Sequence, residues 1–235
     1  MSRAHEESLT LTVPHPDVDR VAALVDHPRG RPRERAVLLA HGAGADMRSE
    51  FLTAMAQGLA ERGFAVMRFR YPYMERIARE GLRRPPDRAP LLEAAHAAAL
   101  AELARRFPRA RPLLAGKSLG GRMGTHLAAK GADVSGLVLL GYPLHPAGRP
   151  EKERSEHFPA LVQPALFVQG TRDALCDLER LRRALARYGG EPTLAVIEAA
   201  DHSFEVLVRS GRRREEVWGE ILERIDTWER TTFPG

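Results

Sequence analysis

The run Ala36-Val-Leu-Leu-Ala40 is apolar at every position, as a strand buried on both faces of a parallel sheet is. A half-exposed strand alternates instead, which is the pattern of Ser8-Leu-Thr-Leu-Thr-Val13. Residues 20–25 can pair with that first strand across a turn at Pro14 to Pro16. Beyond Ala40 the chain repeats strand and helix. Helix 48–62 stops at Gly63 and is followed by strand 64–69. An Ala/Leu helix runs from about 90 to 107 and ends before Pro108, and strand 112–116 leads into helix 119–130. Strands 136–141, 165–169 and 193–198 follow, with a helix over 177–188 and a closing helix over about 213–230. The Arg- and Pro-rich stretch 71–90 reads as a loop with one helical turn, and 142–163 as a loop too short for a lid domain. Repeated βα units of this kind predict an α/β fold, a mostly parallel twisted sheet with helices on both faces. The 235 residues, 43% of them apolar, are enough to fill one such domain over 1–235.

One junction in this series carries a chemical signature. Gly116-Lys117-Ser118-Leu119-Gly120 lies between a predicted strand and a predicted helix and is followed by Gly121. A sharp strand-to-helix turn lifts a serine hydroxyl above the sheet edge, and the flanking glycines let neighbouring backbone approach. The helix N-terminus adds N–H groups and a positive dipole end. Ser118 is therefore the candidate nucleophile. The Gly-Lys-Ser sequence also resembles the end of a phosphate-binding loop, but Arg111 stands where that loop needs its first glycine.

A serine needs a base, and the base needs an acid to orient it. Asp173 follows strand 165–169 in Gly170-Thr-Arg-Asp, and His202 follows strand 193–198 in Ala199-Ala-Asp-His. Three residues of the required types thus follow three late strands in the order Ser, Asp, His. His96, His145 and His157 compete as bases, and Asp177 competes as the acid, although its place at a helix start suits an N-cap. Asp201 reads as a turn former. Oxyanion donors are expected from the backbone N–H of Leu119 and from the small-residue loop His41-Gly-Ala-Gly-Ala-Asp46, with Ala43 first and Gly44 next. In that loop the plainer alternatives are a brace for His41 and a cap on the next helix for Asp46. Arg70, Tyr71, Tyr73, Arg122 and Tyr142 are weak candidates for a substrate pocket, and Arg122 for attracting a carboxylate. Its position one helical turn past Ser118 can also place it below the site.

These segments resemble the α/β-hydrolase superfamily. Within it, His41-Gly-Ala-Gly-Ala-Asp-Met47, Gly116-Lys-Ser-Leu-Gly-Gly-Arg-Met123, Gly170-Thr-Arg-Asp173 and Asp201-His-Ser-Phe204 are similar to a small lidless group of predicted hydrolases. That group is related to a subunit of the non-specific-lethal histone acetyltransferase complex and to a testis-expressed protein, near the dienelactone hydrolases. The resemblance covers the chain from about residue 36 onward and implies the α/β-hydrolase fold, no large lid domain and an esterase-like activity without metal or organic cofactor. Dienelactone hydrolases use a cysteine nucleophile where Ser118 stands here, and Lys117 replaces the His, Asp or Tyr common at its position.

The expected function is a serine hydrolase acting on a small acyl ester, thioester or activated amide through an acyl-enzyme. The alternative is a non-catalytic interaction module that keeps the fold. The net charge of +5 is spread over several Arg-rich stretches, and aromatic residues make up only 6%, which argues against a nucleic-acid partner. Cys176 is the sole cysteine, so neither an internal disulfide nor a thiolate metal cluster can form. The polar opening segment lacks a leader's apolar core, and no apolar run approaches the length of a membrane span. A cytoplasmic protein is the expectation; the oligomeric state is not legible.

Overall fold

The computed structural model describes residues 6–234, so the first five residues of the polar opening segment lie outside them. An eight-stranded sheet runs in the order β1-β2-β4-β3-β5-β6-β7-β8. β1 (Glu6–His15) and β2 (Val18–Asp26) form an antiparallel hairpin, whose turn falls one residue later than the prolines suggested. β2 joins β4 (Ala65–Phe69) antiparallel, and every pairing beyond β4 is parallel. The parallel strands are β3 (Arg35–Ala40), β4, β5 (Arg111–Lys117), β6 (Gly136–Leu140), β7 (Ala165–Gly170) and β8 (Pro192–Ile197). This is the mostly parallel sheet that the strand and helix pattern implied, in the α/β-hydrolase fold that the resemblance implied.

Six helices cover the sheet: α1 (Glu50–Glu61), α2 (Pro72–Glu80), α3 (Ala89–Arg106), α4 (Leu119–Ala129), α5 (Leu178–Leu185) and α6 (Arg214–Thr232). The two faces of each central strand are read off by alternation. Leu38, Met67, Leu114, Leu139 and Phe167 bury against one core shared with α3, α4 and α5. Their neighbours Val37, Val66, Leu113, Val138 and Leu166 bury against the other, shared with α1 and α6. Because both faces are covered, the strands must be apolar at consecutive positions. The uniform runs in the sequence therefore have a direct physical cause.

One expectation needs correction. Residues 72–80, read as loop with a single helical turn, form the nine-residue helix α2. Pro72 stands in its first turn, where a fixed φ and a missing N–H cost nothing, and Gly81 closes it at φ 72°. Its inward stripe is short, Tyr73 with Met74 and Ile77, and the flanking Arg- and Pro-rich segment masked it in the sequence. The Glu75 carboxylate accepts from the backbone N–H of Ala22 and so ties α2 to β2.

A charged contact crosses the antiparallel edge. Arg68 is fully buried in β4 and donates through Nε and Nη2 to Asp26 Oδ2, at 3.0 and 2.8 Å. It also donates to Glu6 on β1 and to the carbonyl of Met47. Burial raises the Asp26 carboxyl above its ordinary range, against the pull of the Arg68 guanidinium. None of the helices among the described residues is long and apolar enough to cross a membrane.

Candidate active site

The parallel strands end at one edge of the sheet, and the loops leaving β3, β5, β7 and β8 build the site there. Ser118 directly follows β5 and starts α4 with φ 51° and ψ −113°, a region that side chains rarely adopt. Such a conformation costs on the order of 1–3 kcal/mol and persists only where the surroundings over-determine it. They do so here. The Ser118 N–H donates to the Leu140 carbonyl at 3.0 Å, and its own carbonyl accepts from Arg122 N–H at 3.0 Å.

His202 and Asp173 meet the serine. His202 Nε2 lies 2.9 Å from Ser118 Oγ, and His202 Nδ1 lies 2.7 Å from Asp173 Oδ2. Asp173 is buried, and a carboxylate can only accept, so Nδ1 carries the proton and Nε2 is free to accept from the serine hydroxyl. The carboxylate is itself fixed. Gln169 Nε2 donates to Oδ2 at 2.5 Å, and the Leu175 N–H donates to Oδ1 at 2.8 Å. A Cβ added to Gly170 would sit 2.3 Å from the carbonyl oxygen of Ala200, so a glycine is what lets the His202 loop close over β7.

The competing residues have other occupations. Asp177 caps α5, accepting from Arg180 N–H at 2.8 Å. Asp201 folds its own turn by accepting from the N–H groups of Ser203 and Glu205. His145 accepts from Asp177 N–H, His157 contacts Thr125, and His96 is fully buried against Tyr71.

His41 is buried and braces the loop after β3. Its Nδ1–H donates to the Gly42 carbonyl, and Nε2 accepts from Tyr71 N–H. Burial lowers its pKa to about 4, which keeps the ring neutral. Tyr73 adds a hydroxyl donated to the carbonyl of Ala43 at 3.0 Å. Asp46 does not cap α1, as expected from the sequence, but forms a two-oxygen pair with Arg70.

Ala43, Ser118 and Leu119 line one cavity of about 360 Å³, together with Arg122, Arg154 and Leu175. Most of the weak pocket candidates lie elsewhere. Tyr71 and Tyr142 are fully buried core residues, their hydroxyls committed to His96 and to the Arg154 carbonyl. Tyr73 is likewise buried, Arg70 is paired with Asp46, and Gly44 is exposed outside the cavity wall. Arg122 is in the wall rather than below the site. Reading the sequence missed Gln169 and Arg154. A glutamine closing the otherwise apolar run Ala165-Leu-Phe-Val was a usable signal for the first; Arg154 lies in a loop and gave none.

Lys117 answers a question left open by its unusual identity. Its ammonium lies 5.4 Å from the Phe204 ring and close to Gly141, at whose Cβ position it would be 3.0 Å away. Burial lowers its pKa from 10.5 to about 8, against the opposing charges of Asp173 and Asp201. A folded-state value below the unfolded one means the charged form is disfavoured by folding. The cost is fully present below pH 8 and fades as pH rises towards 10.5. Lys117→Met is therefore expected to stabilise the protein by on the order of 1–3 kcal/mol at pH 6.5 and by less at pH 9.5. Urea unfolding midpoints at the two pH values check this; an equal or reversed difference would contradict it.

Several solved structures share this shape at low sequence identity. A dienelactone hydrolase from Anabaena variabilis superposes with a TM-score of 0.75 at 20% identity, covering 98% of this chain and 99% of its own. A Xanthomonas campestris protein described as an α/β serine hydrolase without lid gives 0.68 at 21% identity, over 98% and 96% of the two chains. A serine hydrolase homologue from Coxiella burnetii gives 0.70 at 19%, over 93% and 96%. At these identities the likeness speaks for the fold alone. The family model described as "Alpha/beta hydrolase domain" matches residues 33–230, from β3 through α6, and the chain belongs to that family.

Proposed function

We propose that the protein is a serine hydrolase, one domain over 1–235, that cleaves a small carboxylic ester or related acyl compound. The observation that carries this reading is the unbroken hydrogen-bond chain Ser118–His202–Asp173, 2.9 and 2.7 Å, at the ends of three parallel strands. Ser118 Oγ attacks the acyl carbonyl while His202 Nε2 takes its proton. Asp173 holds the ring in the required tautomer and stabilises the imidazolium that forms. The backbone N–H groups of Leu119 and Ala43 receive the oxyanion. Collapse of the tetrahedral intermediate expels the alcohol, which leaves with the proton from His202. Water, activated by the same histidine, then releases the acid and restores Ser118. None of these steps draws on a metal or organic cofactor.

The quoted motifs support a likeness to the small lidless group of hydrolases. The Ser118 nucleophile separates it from the cysteine-dependent dienelactone hydrolases. A fluorophosphonate probe is expected to form a single adduct on Ser118, located by peptide mass spectrometry. The protein is also expected to hydrolyse p-nitrophenyl acetate, with preincubation by the probe abolishing turnover. An intact protein that neither reacts with the probe nor turns over the ester would instead favour an interaction module.

A further inference from the structure

The cavity that holds Ser118 has two guanidinium groups in its wall, from Arg122 on α4 and from Arg154 in the loop after β6. Among the described residues, neither forms an ion pair. Arg122 Nε is shut off from solvent without a hydrogen-bond partner. Arg154 reaches only the Pro143 carbonyl, at 3.4 Å. Buried and half-buried arginines elsewhere in the chain behave differently. Arg33, Arg68 and Arg70 each hold a carboxylate.

Among the described residues no carboxylate pairs with either arginine; Glu156, which shares the surroundings of Tyr142 with both, is exposed. Asp87, also in the wall, is paired with Arg76, and Glu93 is paired with Lys130 and His126. His157 stands on the same side, with burial lowering its pKa to about 4, so its ring stays neutral. Arg154 is pulled below the ordinary arginine range by burial and by the charge of Arg122, which places the two cations within each other's field. An enclosed guanidinium N–H without a partner has lost its water without compensation, and two neighbouring cations add repulsion. Such breaches of local rules concentrate at functional sites. A ligand that brings one anion into the cavity relieves both costs at once.

We propose that Arg122 and Arg154 form a carboxylate subsite, so that the ester cleaved at Ser118 carries a free carboxylate a few bonds from the scissile carbonyl. The guanidinium fork matches the two oxygens of a carboxylate, and charge-assisted bonds of this kind are the strong ones. Arg122 stands one helical turn from Ser118, which sets the spacing to a small molecule such as the half-ester of a short dicarboxylic acid. The proposal rests on the serine-hydrolase reading.

Two measurements separate its failure from the failure of that reading. Wild-type kcat/KM is compared for mono-4-nitrophenyl adipate and for its neutral methyl ester. The acid is expected to be preferred by about tenfold or more. Arg122→Met and Arg154→Met are each expected to cut that preference about tenfold, mainly through KM, and Arg122→Lys to retain part of it. Titration calorimetry of Ser118→Ala protein with monomethyl adipate, dimethyl adipate and inorganic phosphate needs no turnover. Monomethyl adipate is expected to bind at least about tenfold more tightly than the other two, and Arg122→Met in the same background to remove the difference. Equal treatment of acid and neutral ester, a preference that survives both Met variants, or phosphate binding as tight as the half-ester would each overturn the subsite. Absence of turnover with calorimetric binding intact would overturn the hydrolase reading and leave the anion site standing.

Discussion

Ser118→Ala is expected to lower kcat for p-nitrophenyl acetate by about five to six orders of magnitude, and Asp173→Asn by about four. The first change removes the attacking oxygen. The second acts through hydrogen-bond geometry alone. Asp173 Oδ2 accepts from both His202 Nδ1–H and Gln169 Nε2–H, while Oδ1 accepts from the Leu175 N–H. An asparagine has only one accepting oxygen. If its NH₂ faces Leu175, two donors collide in a buried position. If it faces His202, the ring must give up the Nδ1 proton and present Nε2–H to the serine, which disables the base. Since the three side chains act as a unit, the double variant is expected to fall no further than Ser118→Ala alone. Activity of Asp173→Asn within tenfold of wild type would remove Asp173 from the triad.

The positions of those residues were legible because they depend on strand ends, and strand ends follow from apolar runs. Val37 and Leu39 face one core while Leu38 and Ala40 face the other, so burial on both sides marks the strand in the sequence itself. Once β5, β7 and β8 are located, Ser118, Asp173 and His202 follow from their place just past them. The N-cap at Asp177 was legible for a similar reason, being a local bond to Arg180 N–H three residues on. The substrate cavity is different. It closes between α4, the segment around Asp87 and the loop holding Arg154, which are brought together only by the finished fold. Tyr71 and Tyr142 each stand just past a strand, β4 and β6, yet their rings are drawn into the core, where their hydroxyls find partners. A place at a strand end misled there because a tyrosine serves equally as a wall or as a core residue. The strand order β2-β4-β3-β5 was also hidden, since apolar runs do not say which neighbour they pair with.

Gly120→Ala, the addition of one methyl group, is expected to cost on the order of 3 kcal/mol in stability and about a hundredfold or more in kcat/KM. A Cβ at Gly120 would lie 2.5 Å from the Ala40 carbonyl oxygen and 2.8 Å from the Ala40 Cβ. At Gly116 the corresponding atom would lie 2.3 Å from the Gly121 nitrogen. These are contacts with backbone, so no side-chain rotation relieves them, and α4 would have to withdraw from β3. Ser118 and the Leu119 N–H stand at the N-terminus of that helix and would move with it. His202 would not, because its loop is seated on β7 through the close approach of Ala200 to Gly170. The Ser118 Oγ to His202 Nε2 distance, now 2.9 Å, would open while both residues remained present. Gly124→Ala supplies the control. It lies on the same helix, but its added Cβ would meet nothing nearer than 3.6 Å. The better helix propensity of alanine, up to about 1 kcal/mol, offsets whatever small adjustment the methyl needs. Urea unfolding and ester kinetics on the two variants decide the matter: equal behaviour would mean that the tight β3–α4 contact does not position the nucleophile.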